Sequence, residues 1–247
     1  MSGIRTRNLF DPKSKEPYKL SRSRLERFLK CPCCFYLDRR LGVDQVSGPA
    51  FTLNSATDTL LKKEFDVCRV TKKPHPLMKQ YKVDAVPFQH EKIDEWRENF
   101  KGVQYFHEPT NLIITGAVDD IWINPQEELI VVDYKSTSTT KGIDLNDGTP
   151  WKEGYKRQME IYQWLLRRNG FTVSNTGYFV YVNADTGQNA FDGKLVFDEQ
   201  LIAHKGNDNW VEEAITKAWK CLLRKAIPKE SKECEWCAYR KAARSYE

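Results

Sequence analysis

Apolar positions along this chain change period several times. Leu25, Phe28 and Leu29 recur at helical spacing and predict a helix from near Ser21, with Ser23 and Glu26 placed as a capping box and Pro32 soon after. Leu53, Ala56, Leu60, Leu61 and Phe65 share one side of a second predicted helix at about 53–67. Residues 72–76 read as a loop, and Trp96 and Phe100 as a short helix. From 103 to 136 the pattern becomes strand-like. Segments 103–106, 112–118 and 129–134 are rich in β-branched and aromatic residues, and a turn at Asn124-Pro125-Gln126-Glu127 should join the last two into a hairpin. A loop rich in Thr, Ser and Gly spans 136–150. The strongest helical pattern covers 151–169, with Gly170 placed to stop it. Strands at 177–183 and 194–197 follow, then an amphipathic helix at 210–226 ended by Pro228. This order predicts an α/β chain with a mixed sheet. Residues 1–19, polar, basic and rich in turn formers, are expected to be a flexible arm, which leaves 20–247 as one domain.

Composition narrows the class. The chain has 247 residues, 40% hydrophobic and 30% charged, as a globular protein does. No apolar run approaches the roughly 20 residues that span a bilayer, and no apolar stretch follows the charged N-terminus, so a cytoplasmic protein without membrane contact is expected. The net charge of +5 is unevenly spread: residues 1–40 carry +7, 216–247 carry +5, and the middle carries −7. Basic ends around an acidic centre suit a protein that grips a polyanion and holds divalent cations beside it, although solvated Lys-rich ends would look the same. No Gly-rich phosphate loop followed by Lys-Ser/Thr occurs, which excludes a P-loop ATPase or helicase. Seven cysteines in a reducing compartment point to metal ligands or free thiols.

Candidate chemistry sits in three places. On the 129–134 strand and its extension, Asp133 and Lys135 alternate onto one face while Tyr134 takes the other. If the preceding strand is its hairpin partner, Asp119 can lie beside Asp133. Two adjacent carboxylates repel, and a divalent cation with oxygen ligands relieves that repulsion. Lys135 could then orient water or offset charge on a phosphate. Gln158 and Tyr162, four apart on the long helix, share a face and could reach phosphate or prop the lysine. Finally, Cys31-Pro-Cys33-Cys34 and Cys234-Glu-Trp-Cys237 give two thiol pairs, enough for a tetrahedral metal or an iron–sulfur cube.

Gly116-x-x-Asp119, Asp133-x-Lys135 and Gln158-x-x-x-Tyr162, in this order, resemble motifs II and III and the helical motif of RecB-like nucleases in the PD-(D/E)XK superfamily, over roughly residues 20–240. The resemblance implies a restriction-endonuclease-like core with a central mixed β-sheet flanked by helices. It also implies Mg²⁺- or Mn²⁺-dependent DNA cleavage, commonly by an exonuclease on single strands. Asp119, Asp133 and Lys135 would be catalytic, with Gln158 and Tyr162 in support. Relatives often carry a His or Glu metal ligand on the early helix. Here Asp58 holds the corresponding place and Glu64 lies six residues on; positions six apart do not share a helix face, so one of the two takes the role, with Asp58 favoured and Glu64 the alternative. Asp58, Asp119 and Asp133 are therefore the expected metal set.

The phrase Phe28-Leu-Lys-Cys31-Pro-x-x-Phe35-Tyr36-Leu37 resembles iron–sulfur nucleases of the AddB-like and CRISPR-adaptation groups. Those bind a 4Fe-4S cluster through one N-terminal and three C-terminal cysteines. Ala243 stands where the last of these is expected, so Cys34 or Cys33 would have to replace it. The implied ligands are Cys31, Cys34, Cys234 and Cys237 on a 4Fe-4S cluster, with Zn²⁺ as the alternative. The implied partners are DNA, chiefly single-stranded, and a helicase, recombination or CRISPR-adaptation protein. A non-catalytic nucleic-acid-binding module on the same fold remains the competing expectation.

Overall fold

The computed structural model describes residues 4–46 and 48–246. In chain order its elements are β1 (Tyr18–Ser21), α1 (Arg22–Lys30), α2 (Pro32–Leu41), α3 (Thr52–Thr71), α4 (Pro76–Gln80), β2 (Val86–Pro87), α5 (Ile93–Arg97), β3 (Val103–His107), β4 (Leu112–Gly116), β5 (Asp120–Ile123), β6 (Leu129–Thr137), α6 (Pro150–Arg168), β7 (Thr176–Ala184), β8 (Phe197–Lys205), α7 (Val211–Leu222) and α8 (Glu235–Arg244). They form two mixed sheets flanked by helices and fall into two compact units. One unit takes the described residues of Met1–Pro49, Gln104–Thr115 and Asn209–Glu247; the other is Ala50–Val103 with Gly116–Asp208. No helix among the described residues is long and apolar enough to cross a membrane.

The first unit contains the sheet β1-β4-β3, with β1 parallel to β4 from Tyr18↔Leu112 to Ser21↔Thr115. Tyr18 and Lys19, expected in the arm, belong to this sheet, and Phe10 is buried upstream of them. Ser21, not Ser23, is the residue before α1, and its hydroxyl pairs with Ser23 Oγ at 3.0 Å instead of capping the helix, so the expected capping box does not form. Pro32 begins α2, a helix the apolar pattern did not predict. Proline is tolerated in a first turn because that N–H needs no intrahelical partner. Asp38 on α2, fully buried, gathers Arg5, Arg24, Arg27 and Arg39. α7 is shorter than expected, ending at Leu222, and α8 was not foreseen at all.

The second unit is built on the sheet β2-β5-β6-β7-β8. Its central strands β6 and β7 run parallel, from Val132↔Tyr178 to Thr137↔Asn183. The hairpin partner of β6 is not the 112–118 strand. It is β5, paired from Asp120↔Val132 to Ile123↔Leu129, so the chain leaves one sheet after Gly116 and enters the other at Asp120. The turn between them forms at Asn124, whose carbonyl accepts from Glu127 N at 3.0 Å. On one face Trp122, Ile130, Val132, Tyr134, Val180, Val182 and Leu201 pack with Leu61 and Phe65 of α3 and Leu77 and Met78 of α4. The buried stripe of α3 is therefore Leu61, Phe65 and Arg69 at four-residue steps, while Leu53 and Leu60 face solvent. The 194–197 strand is instead β8, which continues to Lys205 as an edge strand pairing β7. α5 includes Trp96 but ends before Phe100, which is exposed.

Candidate active site and cysteine metal site

Alternation along β6 sends Tyr134 to the α3 side and Asp133 and Lys135 to the other. Asp133 is wholly buried, and its neighbours compensate that charge. Lys135 Nζ pairs with its Oδ2, and Gln158 Nε2 donates to its Oδ1 at 2.7 Å. The same amide donates to Tyr162 Oη at 3.1 Å. Gln158 and Tyr162 thus brace the Asp133 carboxylate, not the lysine. Gly116 makes room for this brace: a Cβ there would lie 2.6 Å from Tyr162 Cε1.

Asp119 ends the connection from β4 to β5, and its Oδ2 accepts from Tyr134 N at 2.9 Å. Burial and then the charge of Asp133 push its carboxyl up to about 6. A buried carboxyl raised by a neighbouring carboxylate is the electrostatic setting that a bound cation relieves. Burial works against the Lys135 ammonium, but Asp133 and Asp119 outweigh it and raise its pKa above the ordinary value. Lys135 is therefore a fixed positive charge; its Nζ also lies 4.5 Å from the Tyr155 ring centroid.

Asp58 lies on α3, where burial and then the Asp119 charge raise its carboxyl. It pairs with Lys62 at 2.9 Å, and Lys62 Nζ also lies 3.9 Å from Asp119 Oδ1. Glu64 bonds His75 Nε2 at 2.8 Å instead. The structure therefore brings Asp58, Asp119, Asp133, Lys135, Gln158 and Tyr162 into one neighbourhood. Asp119 and Asp133 offer the hard oxygen donors that Mg²⁺ or Mn²⁺ prefers, but among the described residues Asp58, paired with Lys62, does not close a set of three converging ligand oxygens with them.

Sequence reading missed the group behind the site. Asp120, fully buried, pairs with Arg69 Nη2 and with Arg97 Nη2 at 2.9 Å, and accepts from Tyr134 Oη at 2.9 Å. Asp66 pairs with both arginines in turn. Consecutive acids on an extended segment face opposite ways, so Asp119 and Asp120 divide into a site residue and a structural one. An arginine on the apolar stripe of α3 was the available signal.

The cysteines form a second site. Cys31 precedes α2 and Cys34 lies in its first turn; Cys234 and Cys237 stand in the same relation to α8. Cys31, Cys34, Cys234 and Cys237 bring their sulfurs within 4.8 Å of one another, a set that could bind a metal. Cys33 points elsewhere and accepts from Arg240 Nη2 at 3.5 Å. Burial raises Cys31, yet the backbone N–H groups of Ser231 and Cys34 and the neighbouring thiols lower it to about 7, while burial lifts Cys34 to about 12. Crowded thiols that split in this way suit thiophilic metals, zinc or iron–sulfur.

A sequence model of the PD-(D/E)XK nuclease superfamily matches residues 55–242. No curated protein matches the chain. A solved structure described as the crystal structure of SSO0001 aligns over 92% of this chain and 86% of its own, at 17% identity and a TM-score of 0.42.

Proposed function

The chain belongs to the PD-(D/E)XK nuclease superfamily, and on that premise we propose that it is a divalent-metal-dependent DNA nuclease of the RecB-like branch, acting as an exonuclease on single strands. The observation that carries the catalytic reading is the crowded carboxylate pair Asp119–Asp133 with Lys135 bonded to it and Gln158 bracing it.

Asp119 and Asp133, with Asp58 from α3, are the residues that would hold Mg²⁺ or Mn²⁺. Such an ion, when bound, supplies Lewis acidity toward a phosphodiester and a more acidic water. The remaining work belongs to the chain. Gln158 and Tyr162 fix the Asp133 oxygen at one orientation, which limits the reorganisation needed at reaction. Lys135, held protonated, donates to a non-bridging phosphate oxygen and offsets the negative charge that builds there. It does not serve as a base, because its neighbours favour the ammonium.

Support for single strands comes from the aromatic path out of the site. Tyr155 stacks beneath Lys135, and half-exposed Trp151 lies edge-on to Tyr155 at 5.3 Å between centroids. An unpaired base offers a free face to such a ring, whereas a duplex keeps its faces covered. Exonuclease action follows from the RecB-like resemblance alone. End-labelled single- and double-stranded DNA incubated with the protein in Mg²⁺, Mn²⁺ or EDTA tests the proposal. It predicts metal-dependent shortening from an end, faster on single strands. Intact DNA in both metals would overturn it.

A further inference from the structure

We infer that the four-cysteine site holds one tetrahedral zinc ion, and not the four-iron cluster that the sequence resemblance implies. The spacing of the sulfurs decides between them. Cys31 Sγ lies 3.7 Å from Cys237 Sγ, and Cys34 Sγ lies 3.5 Å from both Cys234 Sγ and Cys237 Sγ. All four lie within 4.8 Å of one another. Zinc–thiolate bonds of about 2.3 Å set tetrahedral sulfur–sulfur edges of about 3.8 Å. A four-iron cube places each thiolate outside a corner iron, so its cysteine sulfurs stand roughly 6 Å apart. Sulfurs at 3.5–3.7 Å already touch. They leave a central space for one ion and none for iron and sulfide between them.

The local architecture agrees. Each Cys-x-x-Cys pair occupies the residue before a helix and its first turn, on α2 and on α8, so both helix dipoles favour the thiolates that zinc requires. Cys31, Cys34 and Cys237 are buried, as in a closed structural site; Cys33 packs beside them but accepts from Arg240 and is not one of the four converging sulfurs. The bridged cysteines lie 200 or more residues apart in sequence, so the ion fastens the C-terminal α8 to α2.

The test is metal analysis of the full chain purified without oxygen, followed by exchange with Co²⁺. Zinc at one per chain, no acid-labile sulfide, a colourless protein and thiolate-to-cobalt charge-transfer absorption after exchange are expected. Cys34→Ser should lose the zinc and Cys33→Ser should keep it. Iron and sulfide in equal amounts with brown colour would overturn the inference, as would a folded wild-type chain that takes up neither zinc nor cobalt. If Cys34→Ser does not fold, the wild-type metal content and cobalt spectrum still decide. No step of this test reads nuclease activity, so its outcome is separate from that of the active-site proposal.

Discussion

Asp119 and Asp120 are adjacent acids whose removal should have opposite effects on stability. Asp120 is fully buried and shared by Arg69 and Arg97, whose side chains are only 6% and 8% exposed. Asp120→Ala leaves both guanidinium groups with Asp66, which is 42% exposed, as their remaining acidic partner. Removing one member of a buried ion pair typically costs about 3–5 kcal/mol, because the charge left behind stays desolvated. For a chain of this size, each kcal/mol lowers Tm by roughly 2–4 °C. Asp119 sits the other way. Its carboxyl is raised to about 6 from 3.8, so in the metal-free protein at pH 7 its ionised form opposes folding. A tenfold change in a protonation equilibrium corresponds to about 1.4 kcal/mol, so Asp119→Asn should gain at most about 3 kcal/mol. The sign follows from linkage. A carboxyl with a raised folded pKa imposes its penalty above pH 6, and the penalty fades as pH falls toward 3.8. The gain from Asp119→Asn should therefore be present at pH 7 and shrink toward pH 4. Thermal unfolding of wild type, Asp119→Asn and Asp120→Ala in EDTA at both pH values reads all of this. Equal destabilisation by both substitutions would refute the division of roles.

Three further outcomes follow from the same geometry. Gln158→Ala should lower the cleavage rate roughly 10–100-fold in single-turnover kinetics and cost about 1–3 kcal/mol of stability, since it frees Asp133 to rotate and takes a hydrogen-bond donor from a buried carboxylate. Gly116→Ala should destabilise by about 1–3 kcal/mol in denaturant titration, because the new methyl drives into the Tyr162 ring. Trp151→Ala should weaken single-strand binding by about 1–3 kcal/mol in fluorescence anisotropy while leaving duplex binding unchanged.

Much of the candidate site could be read directly because it depends on short-range periodicity. The two-residue spacing of Asp133 and Lys135 and the four-residue spacing of Gln158 and Tyr162 fix their faces whatever the tertiary arrangement. Helix α6 carries a clear apolar stripe and ends where Gly170 adopts φ +89°. Features set by long-range packing were hidden. β8 has an edge to solvent, so Asp198, Glu199 and Gln200 break the apolar run that marks a buried strand. The stripe of α3 includes an arginine paired 51 residues away, and its apolar Leu53 and Leu60 stay exposed, so hydrophobicity alone found Leu61 and Phe65 but not the rest of the buried face. Pro32 reads as a breaker but serves as a helix start, and the brief gap between β4 and β5 conceals a change of sheet.

The central claim is that Asp133 is the hub of a metal-dependent nuclease centre. It is tested most directly by measuring DNA cleavage and Mn²⁺ binding of Asp133→Asn beside wild type. Asparagine keeps the shape and the Gln158 contact but removes the charge. The account predicts a folded protein that neither cuts DNA nor binds Mn²⁺ at the wild-type affinity. A variant that still cuts at the wild-type rate would contradict it.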